Sequence, residues 1–219
     1  MNRLAGTMMA AIASFVATNL DDIIILTIFF AQVNSTFRRR HIILGQYLGF
    51  SAIIIASLPG FLGGLIVPKA WIGILGLVPI FIGISHLVHS KADQAEVQTV
   101  SDELNSSIGN ASVLSIITSI LSPQTYKVAA VTFANGGDNI GIYVPFFASS
   151  DLASLGVILG VFYLLVSVWC YIAYQFTRHS SIAGILTRYG HVFVPFILIG
   201  LGVYIVIESG TYQLILKFA

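Results

Sequence analysis

Four acidic residues interrupt the long apolar runs of this chain: Asp21, Asp22, Asp138 and Glu208. An ionised carboxylate at the centre of a bilayer costs about 2.5–3.5 kcal/mol on insertion scales, so such groups face a cavity or a partner. Two of the four belong to a recurring pattern. Asn19 and Asp22 form Asn-x-x-Asp, and Asn135 and Asp138 form it again 116 residues later (135 minus 19). Three positions apart on a helix, amide and carboxylate project from one face. Asp21 points roughly 100° away from Asp22 on a regular helix and joins only if that helix is distorted. With Asn139, these side chains offer oxygen alone. Oxygen donors suit manganese, calcium or magnesium, whereas thiolates select softer metals. No basic residue adjoins them. Lys127 is 11 residues before Asp138, roughly 16 Å along a helix, and snorkels to an interface. A site with up to three negative charges calls for a divalent cation, or for protons in its absence.

The segment Asn135-Gly136-Gly137-Asp138-Asn139-Ile140-Gly141 predicts a break in its helix. Each interior glycine costs about 1 kcal/mol relative to alanine. Unwound backbone at membrane depth is tolerated where it lines a cavity, and its carbonyls can coordinate a cation. The competing reading is that these glycines only allow close helix packing. Gln46, Tyr143 and Glu208 are secondary ligand candidates. His86 and His89, with Asp93 a turn on, read as interfacial polar groups, with metal capture as the sharper alternative.

The elements that must position these residues are membrane spans. Of the 219 residues 57% are hydrophobic and 9% charged, against roughly 25% charged in soluble domains, and the mean hydropathy is +0.93. About 20 apolar residues cross the hydrocarbon core, which places spans at 5–31, 43–67, 70–88, 124–147, 152–176 and 192–214. The apolar piece at 112–121, about ten residues long, reads as an interfacial piece or as the first part of a broken fourth helix ended by Pro123. The first apolar run is too long for the core of a cleaved signal. The polar stretch 90–111 divides two three-helix units, 1–89 and 112–219. Val78-Pro79 and Val194-Pro195 share the offset of 116 (194 minus 78), as do Tyr47 and Tyr163 (163 minus 47). An odd number of spans per unit inserts the second unit upside down. The expected fold is therefore all-α and polytopic: six transmembrane helices as two inverted three-helix repeats, with the site near the midplane. Seven Lys and Arg residues fall on the linker side and three on the other. The positive-inside rule then puts 90–111 in the cytoplasm and both termini outside.

Thr18-Asn19-Leu20-Asp21-Asp22, the 135–145 segment ending Ile142-Tyr143-Val144-Pro145, Gly45-Gln46-Tyr47-Leu48-Gly49-Phe50 and Pro79 resemble the signatures of the CadD-type cadmium-resistance transporter family, over essentially the whole chain. The resemblance implies efflux of cadmium, and of other divalent metals such as zinc, across the cytoplasmic (inner) membrane. It also implies kinship with the lysine-exporter superfamily, which includes manganese exporters. Cadmium sits awkwardly with the residues themselves. Met8, Met9 and Cys170 are the sulfurs in the spans besides the first methionine, and none is in the candidate site.

Several classes are disfavoured. A net charge of +1 provides no basic face for nucleic acid. A single cysteine permits neither an internal disulfide nor a thiolate metal cluster. An intramembrane aspartyl protease would show Gly-x-Gly-Asp, but Asn135 stands three before Asp138. An amino-acid exporter would want a cation for the substrate carboxylate, and a channel would not saturate. The expected partners are the lipid bilayer, a divalent cation as cargo and protons, with homo-oligomerisation open and no resident cofactor. Crowded carboxylates in a poor solvent for charge would hold protons until a cation displaces them, which implies proton-coupled export by alternating access.

Overall fold

The computed structural model describes residues 3–89, 122–177 and 180–211. The linker 90–111, the stretch 112–121 and Asp93 lie outside the described residues. Every regular element within them is an α-helix. By length and apolar composition three helices can cross a membrane, Arg39–Ile66, Trp71–Val88 and Leu152–Phe176, and a bent first pair makes a fourth.

That bent pair corrects the expected single span at 5–31. Helix α1 (Arg3–Thr18) ends and α2 (Asp22–Ala31) begins after a break, and the two are bent by 60°. Neither glycine nor proline marks the break. Instead Thr18 Oγ1 donates to Ser14 O (2.9 Å) and Asn19 Nδ2 to Phe15 O (2.9 Å). Short polar side chains of this kind give backbone carbonyls an alternative to the helical ladder. Asp21 then caps α2, its carboxylate accepting from Asp22 N at 3.1 Å.

Helix α3 (Arg39–Ile66) is long and carries Pro59 internally. Helices α4 (Lys69–Leu75) and α5 (Leu77–His89) meet at Gly76. The expected span 124–147 is two short helices, α6 (Pro123–Asn135) and α7 (Asn139–Ala148). Ser122 starts α6 by accepting from Thr125 N (3.3 Å), with Pro123 in the first turn. Gly136, Gly137 and Asp138 separate α6 from α7, as the glycine content predicts. Helix α8 (Leu152–Phe176) is capped by Asp151, which accepts from Ser154 N at 2.8 Å. Helix α9 (Ser180–Glu208) begins well before the expected position 192, and its Val194–Glu208 part is the apolar one.

Each broken pair packs chiefly on helices of the other half of the chain. α1 and α2 lie on α8, and α1 also on α9, while α6 and α7 lie on α3; α4 and α5 pair with α9. Phe15 of α1 joins Phe50 of α3 and Trp169 of α8 at ring separations of 5.5 and 5.3 Å, and Tyr143 of α7 meets Phe162 of α8 at 5.0 Å. This fully or nearly buried aromatic cluster ties both halves together behind the breaks. Gly45, Gly49, Gly60 and Gly64 form a stripe of α3 against α6 and α7. A Cβ on Gly49 would stand 2.5 Å from Ala129 O, so the backbones touch directly.

Helices α3 and α8 also meet through an exchanged contact. The Tyr47 and Tyr163 rings stack 6.1 Å apart and 2° from parallel. The Tyr47 hydroxyl bonds Ser167 Oγ and donates to Tyr163 O (3.1 Å), while Ser51 Oγ bonds the Tyr163 hydroxyl (2.9 Å). Ser51 and Ser167 are themselves 116 apart (167 minus 51). Tyrosine meets the other half's serine twice over, as across a two-fold axis. Since 47 faces 167 and 51 faces 163, the helices pass one another in opposite senses here.

Candidate metal site

The two breaks bring the candidate residues together. Asp21 and Asp22 stand at the start of α2, and Asn135 at the end of α6. Asn135 Nδ2 donates to Asp21 Oδ2 (3.0 Å) and to Asp22 Oδ1 (2.8 Å). The second copy of the motif thus reaches across to the first. Asp22 is buried, and its other oxygen, Oδ2, accepts from Gln46 Nε2 at 2.9 Å. Gln46 Oε1 in turn accepts from Thr132 Oγ1 at 2.7 Å. Because a hydroxyl donates to its oxygen, the Gln46 amide keeps its N–H side toward Asp22. Hydrogen bonds to a charged group are worth about 1.5–3 kcal/mol each, so the amide contacts from Gln46 and Asn135 offset much of the cost of burying Asp22.

Asp138 stands where α7 restarts and is exposed. Its side chain makes no capping hydrogen bond to α7 and lies within electrostatic range of Asp21, Asp22 and His86. Asn139 is buried at the first position of α7. Glu208 is half-buried and closes α9. Among the described residues, no three His, Cys, Asp or Glu side chains converge as a metal-holding group. What converges is two carboxylates and two amides. A cation bridging Asp21 and Asp22 would take the place of the Asn135 amide hydrogens, and turning that amide over presents its oxygen instead.

Asn19 does not follow the same-face expectation. Helix α1 ends at Thr18, so three-residue spacing no longer aligns Asn19 with Asp22. Its Nδ2 donates to Phe15 O (2.9 Å), Thr18 Oγ1 (2.8 Å) and the Tyr143 hydroxyl (2.9 Å), and its carbonyl accepts from Trp169 Nε1 at 2.6 Å. Tyr143 is fully buried, and its hydroxyl also bonds Thr18 Oγ1 at 2.6 Å. Both residues brace the first break. Asp21, by contrast, joins Asp22 through Asn135 because the helix is distorted.

The decisive comparison is with known families. A family model described as cadmium resistance transporter matches residues 15–218. The chain belongs to the cadmium resistance transporter family. The matched region holds both Asn-x-x-Asp motifs, both helix breaks and every side chain bonded to Asp21 or Asp22. No curated protein and no solved structure matches the chain. Membership in the cadmium resistance transporter family implies a multi-pass membrane protein that carries a metal ion, a transporter rather than an enzyme. Two residues bonded to the candidate residues escape a reading of the sequence: Thr132, which donates to Gln46, and Trp169, which donates to Asn19 O. Thr132 was legible in principle, since it lies three before Asn135 on the same helical face. Trp169 carries no such signal.

Proposed function

We propose that this chain exports divalent metal cations through a site of Asp21, Asp22, Asn135 and Asp138, with Gln46 holding Asp22 and Asn139 beside Asp138. The observation that carries the proposal is the bridge from Asn135 to Asp21 and Asp22, between two helix breaks that fall at repeat-related positions. Polar groups buried at breaks in apolar helices are costly, and a transported ion gives them a purpose. In this reading the chain is two inverted three-helix repeats, 1–89 and 112–219, joined by the cytoplasmic linker 90–111, with both termini outside the cytoplasmic membrane. The exchanged Tyr47–Ser167 and Tyr163–Ser51 contacts support opposed orientation, because a parallel repeat would set Tyr47 level with Tyr163 and Ser51 level with Ser167.

Export then proceeds by exchange. A divalent cation entering from the cytoplasm displaces protons and the Asn135 amide hydrogens from the carboxylates. Protons entering from outside displace the cation, as the halves rock about α3 and α8. Cadmium is the cargo the family points to, and oxygen donors of this kind also accept zinc or manganese.

The test is flux in proteoliposomes. Asp22→Asn and Asp138→Asn should each bring metal flux to background while the protein still inserts, with Asp21→Asn milder. Metal movement should shift the pH of the opposite compartment in step with flux. Export by Asp138→Asn at the parent rate would refute the site, whereas indifference to an imposed pH gradient would remove only the proton coupling.

A further inference from the structure

His86 is an ionisable side chain that the exporter reading leaves unused. From the sequence it belongs to the end of the third span, apart from the carboxylates. The fold brings it back to them. α5 packs on α7, and Ile82 Cδ1 lies 4.0 Å from where a Cβ on Gly141 would stand. About one turn onward from Ile82 along α5 is His86, and about one turn back from Gly141 along α7 is Asp138. With Ile82 over Gly141, a crossing in opposite senses sets His86 against Asp138, and the imidazole is within electrostatic range of that carboxylate. Gly141 has no side chain to hold α5 away. Both His86 and Asp138 are exposed, whereas Asp22 is buried.

We infer that His86 and Asp138 form an outer station for the transported cation, one imidazole nitrogen beside one carboxylate, which selects zinc- and cadmium-class ions over manganese, magnesium and calcium. The inference rests on Asp138 being a metal ligand, as proposed above. Asp21, Asp22 and Asn135 offer only oxygen and do not discriminate within the divalent ions. A neutral imidazole does, because nitrogen favours the borderline metals. Asp138 is also in electrostatic range of Asp21 and Asp22, so a cation released from the outer station has exposed Asp21 and buried Asp22 next along its path. Water or an amide oxygen completes the shell at the outer station.

Initial export rates for cadmium, zinc and manganese separate this role from a structural one. His86→Gln should lower apparent affinity for cadmium and zinc by about tenfold or more, the range for groups that support a metal site, while manganese export holds. His86→Asp, which restores a ligand but a harder one, should move the cadmium-to-manganese preference further toward manganese. Zinc-edge X-ray absorption on the parent protein, which needs no variant, should show imidazole nitrogen in the metal shell. An oxygen-only shell, or a His86→Gln variant that slows all three metals alike or none of them, overturns the inference and leaves His86 as a charge partner of Asp138. The outcome for Asp138→Asn is separate. If that variant is dead and His86→Gln keeps the parent selectivity, only the outer station falls. If Asp138→Asn transports normally, the site proposed for the whole exporter falls with it.

Discussion

The two helix breaks occupy equivalent places in the two halves and are built from opposite materials. The first, between α1 and α2, has neither glycine nor proline, and side chains hold it open: Thr18, Asn19, Tyr143 and Trp169 supply its hydrogen bonds. The second, between α6 and α7, is made of Gly136 and Gly137 and is held by close backbone packing on the glycine stripe of α3. One pair of positions shows the contrast directly. Trp169 donates to the carbonyl of Asn19 at the first break, and Ile53, its counterpart 116 residues earlier (169 minus 53), rests its Cδ1 on Gly136 at the second. The same place in the fold can thus be filled by a hydrogen bond or by an aliphatic contact. Under the proposed repeat, the geometry at a break is kept while the chemistry securing it differs.

The asparagines give the largest test of this contrast. Asn135→Ala removes the donor shared by Asp21 and Asp22, so metal flux should show a raised KM in an amount of protein close to the parent's. Asn19→Ala removes a brace, so the expected loss is in thermal stability and yield, with KM little changed. Equal effects on KM from both variants would erase the distinction between a site asparagine and a structural one.

Next in size is Gly49→Ala. Its Cβ would meet Ala129 O and Thr132 Cβ at 2.5 and 2.6 Å, and overpacking of that order costs about 1–3 kcal/mol. The unfolding temperature in detergent should fall, and because Thr132 is displaced from Gln46, metal affinity should fall too. The repeat-related position on α8 is Leu165, where Leu165→Ala should leave affinity intact. Trp169→Phe keeps the ring and strips the N–H from the Asn19 carbonyl, at about 1–3 kcal/mol for an acceptor left buried. Thermal unfolding should report it with metal selectivity unchanged. The smallest effect is expected from Tyr143→Phe, about 0.5–1.5 kcal/mol for the lost hydroxyl bonds. If it instead abolished export with stability unchanged, Tyr143 would be a ligand and not a brace.

The second break was legible because Gly136 and Gly137 announce it. The first was not, because nothing in Thr18-Asn19-Leu20-Asp21 disfavours a helix strongly; the bonds from Thr18 and Asn19 back to α1 carbonyls accompany the break, and propensity does not register them. The same break takes Asn19 out of helical register with Asp22, since three-residue spacing has meaning only while the helix continues. Asp22, Asn135 and Gln46 could be read out because a polar group in an apolar run is conspicuous. Tyr143 was conspicuous for the same reason, yet its hydroxyl serves the far side of the break. Trp169 was invisible, for a tryptophan in a span looks like any other apolar residue until its N–H finds a carbonyl.

The exchanged contact between α3 and α8 has a consequence for how such a chain can have arisen and changed. Tyr47 with Ser167, and Tyr163 with Ser51, is the contact a three-helix unit would make with a second copy of itself lying in the opposite sense. While two separate copies associate, any substitution is inherited by both, and a change that suits one break is imposed on the other. Once the copies share one chain, position 53 and position 169 can vary independently. Under the proposed inverted repeat, the unlike breaks record that freedom, and the tyrosine–serine exchange is the seam along which the symmetry shows.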